Sequence, residues 1–223
     1  MKNILARGGI EFLAVFIGIV FSLWVDDKRD LNTVREDNYK TLKSLKNEIH
    51  QRIDYIDNRV NQYRRDIEIG NYVINNWGNA NLDTIFHKTK DGRGIVLTLK
   101  AYRAINLPIA IYNSLNSDGS IGKIHQDSIK VILNSLYEVV PKHIVDGVEN
   151  ERVLYHSFNE YIIKNYPMIV DGSLNDLKQK EYEKFFNDEI VLGYVLEKTH
   201  IREFVLRMLN DYQKELIDLE AIL

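Results

Sequence analysis

From Gly8 to Val25 the chain reads GGIEFLAVFIGIVFSLWV, eighteen residues in which Glu11 is the single charge. As an α-helix that run is about 27 Å long, close to the hydrocarbon thickness of a bilayer. Phe, Leu, Val and Ile fall on every side of the helical wheel, which leaves no polar face for a core helix or a surface-lying one. Leu23, Trp24, Val25 and Asp26 stand where a signal peptide needs small residues for cleavage. The run therefore predicts a single-pass transmembrane helix over 8–25 after a short tail at 1–7, with the lipid bilayer as its partner. Arg7 at one edge suits snorkelling toward the headgroups, and Trp24 at the other suits the interface.

Glu11, Ala14, Gly18 and Ser22 recur at i, i+3, i+7 and i+11, along one stripe of that helix. Ala14, Gly18 and Ser22 form a small-xxx-small ladder of the kind that lets membrane helices approach closely. Glu11 in the same stripe either faces a neighbouring helix or pairs with Arg7 one turn away. The first option implies a homo-oligomer or a membrane partner protein. The flanks do not set orientation, because Lys2 and Arg7 on one side are matched by Lys28, Arg29 and Arg35 on the other.

Only three prolines and twelve glycines interrupt 223 residues, so long helices are expected downstream. From Leu31 to about Asn75 the pattern predicts one helix continuing the span, within a charged stalk at 26–76. Its seam runs Ile53, Ile56, Val60, Tyr63, Ile67, Gly70 and Ile74 in alternating steps of three and four, as in a coiled coil. Ten acids and ten bases between residues 26 and 76 cover the other faces, a solvated surface more than a binding patch. Asn75, Asn76, Gly78 and Asn79 end this helix, and residues 77–223 form a helical domain that packs with it.

A short amphipathic piece spans Leu82 to Phe86, and a tight turn covers Lys90 to Gly94. Residues 95–107 read as helical or extended, since Ile95 and Val96 favour a strand. Pro108 suits the start of a helix over 109–115, followed by a loop at 116–120. Helices are expected at about 126–140 and 144–165 with a break near Pro141, at 176–186, and from 188 to 222. The last shows Ile201, Val205, Met208, Tyr212, Leu216, Leu219 and Leu223 at helical spacing. The fold class is thus all-α: one N-terminal transmembrane helix continuing into a long helix, then a bundle closed by a long C-terminal helix. The two long seams pair with each other antiparallel, or the first zips to its copy in another chain.

A net charge of −3 with evenly mixed signs excludes the basic stripe of a nucleic-acid binder. The absence of cysteine removes disulfides, thiol catalysis and thiolate metal sites. His50, His87, His125, His143, His156 and His200 are scattered and form no HExxH motif. No GxSxG, Walker A or GxGxxG spacing occurs. No cofactor, metal or catalytic residue is assigned, and the thirteen tyrosines read as packing residues.

GGIEFLAVFIGIVFSLWVDDKRD at Gly8 to Asp30 and AYRAINLPIAIYNSLNSDGSIGKIHQDSIKVILNSLYE at Ala101 to Glu138 resemble, in order, an uncharacterised bacterial family of small membrane-anchored helical proteins, domain of unknown function 6090. The similarity covers about half the chain. It implies a single span of the cytoplasmic (inner) membrane with the domain on the periplasmic side, and no activity. The chain departs from that family in its short basic tail and in Asp26-Asp27 at the end of the span. The residues thus point to a membrane-anchored interaction or scaffold protein that self-associates. An oligomeric pore or effector gated by the soluble domain, with Glu11 and Ser22 around its path, and a hydrolase with an unrecognised site are the alternatives.

Overall fold

The computed structural model describes residues 2–79, 81, 83–85, 94–173 and 176–223. In the first helix the described side chains are those of residues 17–22, 24, 28 and 33 onward. Among the described residues every regular element is helical, as the sequence predicts, and none is a strand. Helix α1 (Lys2–Asn75) runs without a break for about 110 Å. Then come α2 (Ile95–Lys100), α3 (Ala110–Ser117), α4 (Asp127–Asn134), α5 (Val140–Asn165), α6 (Asp176–Phe185) and α7 (Glu189–Ile222). No helix among the described residues is long and apolar enough to cross a membrane. The piece expected at Leu82 to Phe86 shows a helical turn at residues 83–85, with both its end residues outside the described set. The turn expected at Lys90 lies outside it too, except for Gly94.

The first buried side chain described on α1 is Thr41, and from there to Val73 the helix belongs to the bundle. Its partner is α7, packed antiparallel. Lys46 and His50 reach Glu220 near one end, Arg64 reaches Asn210 in the middle, and Gly70 abuts Thr199 at the other end. Ile56, Val60, Tyr63 and Ile67 of the seam are buried and Ile53 is half-buried. The seam is therefore covered within the chain itself. A Cβ on Gly70 would sit 2.4 Å from Thr199 Oγ1, so only glycine permits this crossing.

Between α2 and α3 the nine residues 101–109 form no regular element. Pro108 disfavours helical geometry in the residue before it and has no N–H to donate. This strap crosses the face of the bundle. Gly94, just ahead of α2, has φ +69° and lies against the Gly172 backbone, where a side chain would collide.

The break expected near Pro141 is absent; the helix turns through a π-helical segment at Ser135–Val139 and continues as α5. The physical reason lies in the proline. The Val140 amide donates to Ser135 O, five residues back. The next donor in that register would be Pro141, which has none, so Leu136 O is left without a backbone partner. Side chains from α1 and α7 take it: Arg52 Nη1 donates at 3.0 Å and Tyr212 Oη at 2.7 Å.

The apolar interior is in two pieces. One contains Leu45, Ile56, Tyr63, Leu133, Ile144, Leu209 and Leu216; the other contains Val73, Ile95, Leu99, Phe158, Ile169, Phe185 and Val195. Along α1, α5 and α7 alike, buried charged residues occupy the turns between them.

Candidate functional site

An extended segment inside a helical protein has no neighbouring strand to satisfy its backbone, yet buried N–H and C=O groups need partners. The strap and the ends of its flanking helices obtain them from charged side chains on α1, α5 and α7 and from the Tyr55 hydroxyl. Lys198 Nζ donates to Lys100 O at 2.7 Å, and Arg202 Nη2 donates to Thr98 O at 3.0 Å and Ala101 O at 2.7 Å. The Arg103 amide donates to Glu151 Oε2 at 3.2 Å, and the Asn106 amide to Tyr55 Oη at 2.8 Å. Arg52 Nε donates to Pro108 O. Glu48 then accepts from the Ile111 and Tyr112 amides at 2.6 and 3.0 Å, capping α3 from outside.

These side chains form two polar layers. The belt between the apolar cores is centred on Glu151, which is fully buried. Its carboxylate accepts from Arg202 Nε at 2.7 Å and Tyr63 Oη at 3.0 Å, with Lys198 Nζ 3.7 Å away. Asp66 accepts both Nε and Nη2 of Arg103 at 2.7 Å, a fork-on-fork pair with no freedom to turn. Burial pushes the Lys198 ammonium down to about 7, against the pull of Glu151. A neutral amine is a nucleophile, but Lys198 is only 1% exposed, so substrate does not reach it. Burial, with Glu151 alongside, raises the Tyr63 phenol and keeps it a donor. The belt is built to hold the strap, and its chemistry is that of a clasp.

The second layer surrounds Arg52, also fully buried. Its guanidinium lies 3.6 Å from the centroid of the Tyr137 ring, which stacks on Tyr112 at 4.1 Å. Nη1 donates to Tyr212 Oη at 2.6 Å as well as to Leu136 O. Nη2 is buried without a hydrogen-bond partner, and burial, with the Glu48 carboxylate alongside, raises the Tyr137 phenol. Under the strap is a cavity of about 290 Å³ walled by Arg52, Ile105, Asn106, Leu107, Ile109, Tyr137, Pro141 and Val145.

Of the residues singled out from sequence, Tyr63 of the seam joins the belt and those of the expected span fall elsewhere. Arg7, Glu11 and Ala14 lie where the side chains are outside the described set. Gly18 and Ser22 are exposed, and a Cβ placed on Gly18 would meet nothing within 4 Å. Trp24 is half exposed, 5.9 Å from Phe21 between ring centroids, with Lys28 Nζ over its ring at 4.2 Å. Among the described residues no three histidine or carboxylate side chains converge as metal ligands do. Sequence reading missed the belt because Asp66, Glu151, Lys198 and Arg202 sit among many solvated charges. The usable signal was their phase: Asp66 falls beside Tyr63 and Ile67 of the seam, and Arg202 one turn before Val205. Compared with known proteins, the chain matches no family model, no curated protein and no solved structure.

Proposed function

We propose that this protein is a membrane-anchored helical interaction module, held by the start of α1 and presenting the bundle to a partner. One observation carries the reading. Ile17, Ile19, Val20, Phe21 and Trp24 are all 49–63% exposed on a helix whose described side chains stay unburied until Thr41. Large apolar residues pointing in several directions from one helix need a non-aqueous surrounding, and the apolar run from Gly8 supplies the rest of the length. The resemblance to the uncharacterised single-span family is what adds a domain outside the cytoplasm to this reading. Close packing of Gly18 and Ser22 between copies is the self-association this reading includes.

Membrane fractionation tests it. The full chain is expected to stay in the pellet after an alkaline carbonate wash, and the double substitution Ile17→Arg with Val20→Arg to release it. Recovery of the unaltered chain in the carbonate supernatant rules the anchor out. A monomer in mild detergent, with Gly18→Leu leaving its hydrodynamic behaviour unchanged, rules out self-association through the span. Because the chain lacks cysteine, a single one at Thr33 or at Lys2, labelled from outside intact cells, reads the sidedness directly.

A further inference from the structure

The belt around Glu151 holds an odd charge. Its members are two carboxylates, Asp66 and Glu151, and three cations, Arg103, Lys198 and Arg202, all buried. The arginines take both carboxylates at 2.7 Å, and Arg202 Nη2 adds a contact to Asp66 at 3.8 Å. Lys198 is the cation left over, with Glu151 Oε1 3.7 Å from its Nζ. Its hydrogen bonds go to two carbonyls, Lys100 O at 2.7 Å and Glu151 O at 3.4 Å. Two acceptors match the two N–H bonds of a neutral amine, whereas an ammonium has a third. The groups packed around Lys198 give the excess no other outlet. α1 brings Asp66 and the Tyr63 hydroxyl, which donates to Glu151; α5 brings Glu151, α7 brings Arg202, and the strap brings Arg103. The Lys100 ammonium turns to Asn159 Oδ1 at 2.7 Å. Arginine does not give up its proton in a protein, and protonating either carboxylate would only enlarge the positive excess.

We propose that docking of the strap expels one proton from Lys198 to solvent, which makes the strap a latch that fastens as the medium turns alkaline and loosens as it returns to neutral. The clasped run is residues 98–103. Lys198 holds Lys100 O, Arg202 holds Thr98 O and Ala101 O, and Glu151 and Asp66 hold Arg103 by its amide and its guanidinium. Lifting that run admits water to Lys198 Nζ, and a solvated ammonium keeps its proton up to the ordinary lysine range. In the closed belt, burial lowers the amine to about 7 against the pull of Glu151. Between those limits the open form binds one more proton than the closed form. Its population therefore rises about tenfold for each unit by which pH falls. Below about 7 the closed form carries the proton as well, and the dependence levels off. α1 and α7 contribute to the apolar cores on both sides of the belt, so that pair stays docked when the strap lifts.

The test is native-state amide hydrogen exchange on the full chain in neutral detergent, under conditions where the opening equilibrium limits exchange, from pH 7 to 9. After correction for intrinsic exchange, the opening constant of the Arg103 amide is expected to be about a hundredfold larger at pH 7 than at pH 9. The Val60 and Leu209 amides of α1 and α7 are expected to open more rarely than Arg103 at every pH. Lys198→Gln, which keeps an uncharged donor for Lys100 O, is expected to flatten the Arg103 profile while its circular dichroism spectrum matches the parent's. Should that variant fail to fold, the parent decides by a second readout: the Lys198 Cε resonance followed by NMR is expected to titrate near 7 in the folded chain. An Arg103 opening constant that does not change with pH overturns the proposal. So does Arg103 protection equal to that of Val60 and Leu209 throughout, an unchanged slope in folded Lys198→Gln, or a Lys198 resonance titrating in the ordinary lysine range. None of these outcomes depends on membrane attachment.

Discussion

At the scale of single residues, the buried charges divide by whether a neighbour needs them. Asp66 is closed by Arg103 and Glu151 by Arg202, so Lys198 is not required to complete either pair. Glu151→Gln leaves Arg202 and Lys198 facing a neutral amide and is expected to cost about 3–5 kcal/mol in urea unfolding. Lys198→Met deletes the ammonium and leaves the buried Lys100 O without the donor it has at 2.7 Å, so a loss of about 1–3 kcal/mol is expected. Lys198 also sets a pH dependence. In the unfolded chain its amine holds a proton up to the ordinary lysine range, whereas the folded chain releases it near 7. The unfolded state thus binds more protons between those limits, and stability rises with pH from about 7 toward 10. Above about 10 unfolded tyrosines ionise while buried Tyr63 and Tyr137 do not, so the rise reverses. Urea midpoints measured from pH 6 to 10 should show that slope in the parent and its loss in Lys198→Met. In the sequence these roles leave only the phase of Asp66 and Arg202 with the apolar seams, since the partner that each one closes on lies far along the chain.

Elements were more legible, because apolar period and breakers are local quantities. The seams of α1 and α7 and the start of α3 after Pro108 follow from residue spacing alone, whereas the pairing of the two seams with each other does not. The strap and the π segment do not. Their backbones are set by what other helices offer: Arg52 and Tyr212 donate to Leu136 O, and Glu151 accepts from the Arg103 amide. Sequence therefore left residues 95–107 between helix and strand, and read Pro141 as a break where the helix instead widens by one residue. The α1–α7 crossing gives a prediction at this scale. Gly70→Ala drives a methyl into Thr199 Oγ1, which is already bonded to Val195 O at 2.8 Å. A loss of about 1–3 kcal/mol is expected. Adding Thr199→Ala removes the clashing hydroxyl, and the next nearest atom, Thr199 Cβ at 3.5 Å, is at ordinary contact. The double-mutant cycle should show most of the loss restored, while additive losses would place the strain elsewhere.

For the molecule as a whole, one uninterrupted helix, α1, carries exposed apolar residues at 17–24 and joins the bundle only from Thr41. Since the described side chains before Thr41 are unburied, a chain beginning at Thr33 is expected to keep the parent's urea midpoint while losing any membrane association. A fall of more than about 1 kcal/mol would mean the earlier residues fold back on the bundle. The strap has a consequence for the order of events in folding. Its hydrogen bonds join residues 51 apart at Tyr55–Asn106, 56 at Arg52–Pro108 and 101 at Arg202–Ala101. Each requires helices from distant parts of the chain to be docked before the receiving side chain exists in place, and distant closures are slow. The amides of Arg103 and Asn106 should accordingly gain protection in pulsed hydrogen exchange only after those of α1 and α7. On gentle destabilisation the same two amides should open first, which makes the strap the clock hand of this fold: last to arrive, first to leave.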